Sequence, residues 1–286
     1  MRQKSASLVQ IHIAVVLFGL AGLFGKILFL SPVIIVFGRV LFAAISLLVA
    51  ITYLRQSLRL ASAKSYLPFA LLGIILAAHW VTFFQSVQVS SVAIGLITFS
   101  TFPVFVAFME PYLFRENMRF QDVLLALIAL VGIFILIPHF ELGNSTTQGV
   151  LWGVVSGFTF ALLSVLNRKC VQNHSSLLIA FYQDIFAALA LLPFIVTQWP
   201  IVSTRDLSFL LVLGVLCTAV SHSLFISGMR HIKARVASMI ACLEPFYGVI
   251  FAALLLHEIP SPRTIIGGLL ILGVASYASV VASHDE

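Results

Sequence analysis

Residues 101–116 read TFPVFVAFMEPYLFRE, and residues 243–258 read LEPFYGVIFAALLLHE. Both stretches are apolar, carry a proline at the third position and end in a glutamate, and they lie 142 residues apart. Upstream, an offset of 141 relates Gly73 to Gly214. A recurrence at one nearly fixed distance indicates that the second half of the chain repeats the first.

The two stretches belong to a series of ten apolar segments. Hydrophobic residues make up 61% of the 286 residues and charged residues 9%, against about 25% charged in soluble domains. A helix of roughly 20 apolar residues crosses a hydrocarbon core about 30 Å thick. We therefore predict an all-α integral membrane protein with ten transmembrane helices, at residues 9–28, 33–53, 66–86, 91–112, 121–138, 147–167, 176–197, 208–228, 235–256 and 263–282.

The number of spans in each half determines how the halves are oriented. Five crossings reverse the direction in which the chain enters the membrane, so the second copy is expected to lie upside down relative to the first. Such inverted repeats are common in secondary transporters. We predict one membrane domain made of two inverted five-helix repeats, residues 1–142 and 143–286.

The distribution of basic residues explains the net charge of +6. Twelve lysines and arginines fall on one side of the predicted spans, and only Lys26, Arg205 and Arg263 fall on the other. This asymmetry is the positive-inside pattern of membrane proteins. It predicts a bacterial inner membrane protein with both termini in the cytoplasm, and it leaves no basic and aromatic patch for a nucleic-acid partner.

Five ionisable side chains lie well inside the predicted spans, away from the span ends: Arg39, His79, Asp184, His222 and Glu244. Each costs roughly 2.5 to 3.5 kcal/mol near the bilayer centre, so it needs a partner or a function. Arg39 and Asp184 are expected to neutralise each other or their helix neighbours. For His222 a structural hydrogen bond is the first interpretation, whereas His79, with aromatic neighbours at helical spacing, fits a structural and a cavity-lining role equally.

Glu244 is the best functional candidate because of the proline that follows it. Pro245 and Pro103 have no backbone N–H, so each leaves the carbonyl four residues earlier without its helical partner. Irregular backbone at membrane depth is tolerated where it lines protein or a water-filled cavity. The two prolines therefore predict a binding site near the midplane, between the two halves.

The predicted site combines an aromatic wall with polar anchors, as small-molecule pockets usually do. Burial disfavours the charged form of carboxyl and imidazole groups, which suits them to exchange protons near neutral pH. The proton-coupling candidates are Glu244, His79 and Asp184. The predicted substrate-binding residues are His79, Trp80, Phe83, Phe84, Thr101, His222, Glu244 and Tyr247.

The order of these residues along the chain matches a known pattern. His79-Trp80, Phe83-Phe84, Pro103 and Glu116 resemble the first EamA-type repeat of the drug/metabolite transporter superfamily, and the segment 237–258 resembles the second. The resemblance implies ten helices in inverted halves, cytoplasmic termini, and export or exchange of small metabolites such as amino acids. It also implies peripheral or dimer-forming fifth and tenth spans, so a monomer and a homodimer both stay open.

These observations favour a secondary active transporter that works by alternating access on a small-molecule substrate. Two alternatives remain: an importer of a small metabolite, and a membrane sensor or scaffold. No H-E-x-x-H, G-x-S-x-G or phosphate-binding G-x-x-x-x-G-K-[ST] motif occurs, so neither an enzyme nor an ATP-driven pump is predicted. The three cysteines, Cys170, Cys217 and Cys242, show no C-x-x-C spacing, and no metal or other cofactor is expected.

Overall fold

The computed structural model describes residues 2–60, 65–114, 120–137, 141–197, 201–232 and 234–283. The regular elements in these ranges are helices. In chain order they are α1 (Arg2–Ala21), α2 (Phe24–Ile27), α3 (Pro32–Tyr53), α4 (Tyr66–Val89), α5 (Val92–Phe99), α6 (Phe102–Phe114), α7 (Phe120–Leu136), α8 (Ser145–Cys170), α9 (Ser176–Thr197), α10 (Thr204–Gly214), α11 (Ser221–Gly228), α12 (Ala234–Ala241), α13 (Glu244–Leu256) and α14 (Pro262–Ser283), with a π-helix (Val215–Val220) between α10 and α11.

Each predicted span coincides with one helix or with two or three successive helical elements. Shorter apolar helices occupy Leu127–Leu136, Glu244–Leu256 and Pro262–Val274, in the regions of the fifth, ninth and tenth predicted spans. The chain is an all-α integral membrane protein, and the count of ten crossings stays a prediction. The helical segments long and apolar enough to cross a membrane are Gln3–Ile27, Pro32–Tyr53, Tyr66–Val89, Val92–Leu113, Ser145–Cys170, Ser176–Thr197 and Thr204–Gly228.

The outer surface of the helices is rich in large apolar side chains. Val49, Leu67, Leu127, Phe194 and Leu255 are each more than half exposed. In water such a surface is costly, because burying apolar area contributes roughly 25 cal/mol per Å². A lipid environment removes this cost, so the surface agrees with the integral membrane assignment made from hydropathy.

Two of the predicted spans are broken near their middle. Ser100-Thr101 separates α5 from α6, and Cys242-Leu243 separates α12 from α13. Pro103 and Pro245 each lie at the second position of the following helix, where a missing N–H is tolerated. The irregular backbone predicted from the two prolines is therefore confirmed, and the bounds of the two helix pairs differ by the same 142 residues.

Contacts between the halves are reciprocal. A Cβ on Gly73 of α4 would lie 2.8 Å from the carbonyl oxygen of Gln183 in α9, and a Cβ on Gly214 of α10 would lie 2.7 Å from the carbonyl oxygen of Arg39 in α3. The sequence repeat relates the two glycines at an offset of 141 and the two carbonyl residues, Arg39 and Gln183, at an offset of 144. Only a residue without a side chain permits such close backbone approach, so the repeat preserves equivalent crossings on both sides.

Other helices also pack against partners in the opposite half of the chain. α1 of the first half packs against α13 of the second, and α8 of the second half packs against α5 and α6 of the first. The first span of each half therefore contacts the broken span of the other. Glu116, which the sequence pairs with Glu258, lies outside the described residues, as do the predicted loop residues Lys64, Arg115, Arg119, Trp199, Pro200 and Lys233.

Candidate functional site

A closed cavity lies where the broken spans meet the first span of each half. Its walls are aromatic and include one carboxyl group. The space inside does not admit a water molecule, so a substrate can enter only after the surrounding side chains or helices move. The cavity is lined by Phe18, His79, Trp80, Phe83, Phe99, Phe160 and Glu244.

His79 stands at the centre of this aromatic cluster. Its ring centroid lies 4.6 Å from that of Trp80, 5.4 Å from that of Phe99 and 4.9 Å from that of Phe160. These separations lie within the range of favourable aromatic contacts. The imidazole is held between α4 and α8, and therefore between the two halves of the chain.

A serine on α8 fixes the orientation of the His79 ring. His79 Nδ1 lies 3.1 Å from the Ser156 carbonyl oxygen and 3.0 Å from Ser156 Oγ, and Ser156 Oγ also lies 3.2 Å from the His79 carbonyl oxygen. A carbonyl oxygen only accepts, so the contact with it assigns the proton to Nδ1. His79 thus makes a structural hydrogen bond and also lines the cavity. The structural and the cavity-lining roles considered from the sequence are therefore both compatible with its position.

Glu244 enters the cavity from the start of α13. It is 3% exposed and belongs to the first turn of that helix. Backbone N–H groups at a helix N-terminus point outward and favour a negative charge. The helix break therefore places a buried carboxyl group at a helix N-terminus, beside backbone N–H groups that favour a negative charge.

Arg39 supports the cavity from behind Trp80. Its guanidinium carbon lies 3.4 Å from the centroid of the Trp80 ring and 5.6 Å from that of Phe84, and its side chain is fully buried. Arg39 Nε donates to Thr218 Oγ1 at 2.9 Å and Nη2 donates to the Cys217 carbonyl oxygen at 3.0 Å. One arginine thus joins α3, α4 and the π-helix.

The π-helix provides both acceptors of Arg39. Thr218 Oγ1 donates to the Leu213 carbonyl oxygen at 2.8 Å, five residues earlier, while it accepts from Arg39. A π-turn shifts the backbone hydrogen bonds by one residue, and such turns are frequent at functional sites. We infer that the wider turn leaves the Cys217 carbonyl oxygen available to the guanidinium.

Direct neutralisation of Arg39 by Asp184, one of the two sequence-based expectations for this residue, does not occur. The hydrogen bonds of Arg39 go to the π-helix, and both carboxylate oxygens of Asp184 are buried without a hydrogen-bond partner among the described residues. Arg39 and Asp184 therefore do not form a hydrogen-bonded ion pair in this conformation.

The structure brings only part of the predicted site together. His79, Trp80, Phe83 and Glu244 line the cavity. Phe84 stacks behind Trp80 with ring centroids 6.1 Å apart. The other predicted residues do not line the cavity: Thr101, whose hydroxyl donates to the Thr98 carbonyl oxygen, His222, which meets Phe18 edge-on at 6.2 Å, the half-buried Tyr247, and Asp184.

Sequence reasoning missed three cavity residues and the role of Arg39. Phe18 and Phe160 are equivalent under the 142-residue repeat, so the repeat itself carried a signal for them. Phe99 is the last residue of α5, four positions before Pro103. Within the part of the chain that the structure describes, no group of three His, Cys, Asp or Glu side chains is placed to hold a metal ion.

Comparisons with known proteins agree on the class of the chain. A 28% identical relative, an uncharacterised transporter of Archaeoglobus fulgidus, aligns over 73% of this chain and 74% of its own. The S-adenosylmethionine uptake transporter of Rickettsia prowazekii is 24% identical over 83% of this chain and 79% of its own. These names indicate a transporter and not an enzyme.

Fold and family are established separately. A crystal structure with 18% sequence identity superimposes with a TM-score of 0.70 and covers 99% of both chains, which supports the fold alone. The sequence model of the EamA-like transporter family matches residues 6–137 and again residues 147–279. The resemblance to EamA-type repeats is thereby confirmed: the chain belongs to the EamA-like transporter family.

Proposed function

We propose that this protein is a secondary active transporter that exports or exchanges small metabolites, such as amino acids, by alternating access. The observation that carries the proposal is the closed cavity between the halves, which combines aromatic walls with Glu244 and His79. A site that excludes water at mid-depth suits a carrier that opens to one side at a time. A permanently open channel would have no reason for such closure.

The proposed architecture is ten helices in two inverted five-helix repeats, residues 1–142 and 143–286. Support comes from the recurrence of both helix breaks at an offset of 142 and from the reciprocal close contacts of Gly73 and Gly214. In an inverted duplication the two halves can exchange conformations, which gives two arrangements related by a pseudo-two-fold axis in the membrane plane. Exchange between these arrangements opens the central site to opposite faces.

The proposed binding residues are those that line the cavity, with the remaining predicted residues nearby. Trp80, Phe83, Phe84 and Tyr247 offer apolar contact, and Thr101 and His222 offer polar contact after a rearrangement. His79, Asp184 and Glu244 are the candidates for proton coupling. A protonatable group inside a membrane is by default a functional hypothesis, because it is costly to keep there.

Transport in the opposite direction is the second candidate function. It is favoured by the names of the Rickettsia relatives, which are described as uptake transporters. Direction follows the gradients that drive the carrier and not its fold, so the same cavity serves either process. A sensor or scaffold, from a different class, would leave the closed cavity and the buried charges without a purpose.

Reconstitution distinguishes these functions. Purified protein in liposomes preloaded with one unlabelled amino acid is expected to accumulate the labelled form by counterflow, and the proton gradient can be set independently. Trp80→Ala is expected to lose this activity, whereas Phe29→Ala, which changes a side chain that is 91% exposed, is expected to keep it. Failure to exchange any metabolite in a broad screen would favour a sensor or scaffold.

The proposed setting is a bacterial inner membrane, with both termini in the cytoplasm. This orientation rests on the excess of basic residues on one side of the helices. A reporter enzyme fused to the C-terminus that is active only in the cytoplasm tests it directly. Size measurement in nanodiscs decides between the monomer and the homodimer that the family resemblance leaves open.

A further inference from the structure

A second cavity, of about 740 Å³, opens at the end of the helices where most basic residues gather. Its lining comes from both halves of the chain: the start of α1, the end of α8, the segment after α11, and α12. Small-molecule sites typically measure about 300 to 1,000 Å³. The lining residues are Lys4, Leu8, Arg168, Lys169, Gln172, Asn173, Met229, Arg230, His231, Ile232 and Val236.

The charge of this basic vestibule, as defined by those residues, is of one sign. Four lysines and arginines and one histidine line it, and the lining includes no aspartate or glutamate. The positive-inside pattern predicts that these residues lie on one face of the membrane. It does not predict that cations from three separate segments converge on one concave space.

The polar groups in the vestibule are held in different ways. Arg230 is tied to the backbone, since its Nη2 donates to the carbonyl oxygens of Val171 at 3.2 Å and His174 at 3.0 Å. Lys4, Lys169 and His231 are exposed. A fixed arginine beside exposed ammonium groups is an arrangement that attracts anions and offers them several donors.

We propose that the basic vestibule is a binding site for an anionic group, a phosphate or a carboxylate, at the inner mouth of the transport path. The proposal rests on the proposed function for its role in transport, because the elements around it include those that reach the closed cavity. Its occupant is either a free anionic metabolite that is concentrated before transport or the headgroup of an anionic lipid. Both present the same chemistry to the vestibule.

The test uses full-length protein in nanodiscs of neutral phosphatidylcholine, with inorganic pyrophosphate as the probe. Titration calorimetry is expected to detect binding that weakens as sodium chloride is raised, because salt screens exposed charges. The double variant Lys4→Gln/Lys169→Gln is expected to raise the Kd about tenfold. The matched control, Arg55→Gln/Arg59→Gln, removes two exposed cations outside the vestibule and is expected to leave the Kd unchanged.

A second arm distinguishes the two sources of the anion. In nanodiscs that contain phosphatidylglycerol, occupation by a lipid headgroup would raise the Tm of the native protein but not of the double variant, and would weaken pyrophosphate binding. Occupation by free anions alone would leave both quantities unchanged. Either result, together with pyrophosphate binding, supports an anion site and shows whether the bound anion is a lipid headgroup or a free anion.

Two results would overturn the proposal. One is the absence of pyrophosphate binding together with the absence of any variant-sensitive effect of phosphatidylglycerol. The other is an equal loss of binding in the control pair, which would make the attraction a property of the whole basic face. Because binding is measured without transport, a protein that exchanges amino acids but ignores pyrophosphate would keep the proposed function and lose only the vestibule site.

Discussion

Arg39 is the buried side chain whose environment explains the most about the candidate site. Its guanidinium lies on the Trp80 ring and donates two hydrogen bonds to the π-helix, but it makes no direct ion pair among the described residues. A buried cation that is not paired must be compensated by hydrogen bonds and by aromatic faces. We infer that Arg39 fixes the position of Trp80 in the cavity wall.

The first prediction concerns this clamp. Arg39→Lys is expected to reduce exchange at least about tenfold and to lower the Tm, because an ammonium group cannot stack on the indole and donate in two directions as the guanidinium does. Each charge-assisted hydrogen bond that is lost costs about 1.5 to 3 kcal/mol. Counterflow and thermal melting measure both effects. Arg59→Lys, at an exposed position, is the control, and native behaviour of Arg39→Lys would contradict the clamp.

The second prediction concerns Glu244. Glu244→Gln keeps the size of the side chain but removes its ionisation, so exchange at equal pH on both sides is expected to persist while stimulation by a proton gradient is lost. Liposome assays with and without an imposed gradient measure the difference. Glu258→Gln, which alters a carboxylate outside the cavity, is expected to keep the stimulation. Full stimulation in Glu244→Gln would remove this residue from the coupling role.

At the scale of elements, the π-helix and the broken spans position the site. The π-helix offers Thr218 and the Cys217 carbonyl oxygen to Arg39, and the break before α13 sets Glu244 at a helix N-terminus. Two different departures from regular helix therefore place the two ionisable side chains Arg39 and Glu244. We infer that Arg39 would not find both of these acceptors if the π-helix were a regular α-helix.

The third prediction tests the link between the π-helix and Arg39. Thr218→Val removes the hydroxyl that accepts from Arg39, whereas Thr218→Ser retains it. Thr218→Val is expected to lower stability and exchange, and Thr218→Ser to keep most of both. In a double-mutant cycle with Arg39→Met, the two changes are expected to be coupled by about 0.5 to 3 kcal/mol. Strictly additive effects on unfolding would show that the contact contributes nothing.

The fourth prediction concerns the crossing of α8 with α5. A Cβ on Gly153 would overlap Thr98 Oγ1, so Gly153→Ala is expected to destabilise the protein by about 1 to 3 kcal/mol through overpacking. Thr98→Ala in the same protein is expected to restore part of the loss. Gly143→Ala is the control, since no atom lies within 4 Å of the position of its Cβ. If Gly153→Ala and Gly143→Ala had the same Tm, the close crossing would be contradicted.

At the scale of the molecule, patterns repeated along the chain were predictable and contacts between distant spans were not. The two prolines predicted the helix breaks, because a missing backbone N–H removes a hydrogen bond within the same helix. The Arg39–Trp80 stack joins two helices and depends on a π-helix for which we found no sequence signal. Hydropathy placed both residues in the membrane but could not say which faces meet, so the sequence left Arg39 without its partners.

The last prediction concerns the movement of the halves. Glu258 Oε1 accepts from the Ala93 N–H at 3.3 Å, which joins the end of α13 to the start of α5 across the repeats. Because the cavity is closed in this conformation, we expect transport to require that some contacts between the halves separate. Ala93 itself is buried, so the cross-link uses the half-buried Ser91 two residues earlier. Cysteines at positions 91 and 258, joined by a short reducible thiol cross-linker, are therefore expected to stop exchange until the linker is reduced. A Cys170→Ser background removes the half-buried thiol, and Cys217 and Cys242 are buried. The single-cysteine proteins serve as controls, and exchange at the native rate in cross-linked protein would show that this contact stays closed throughout the cycle.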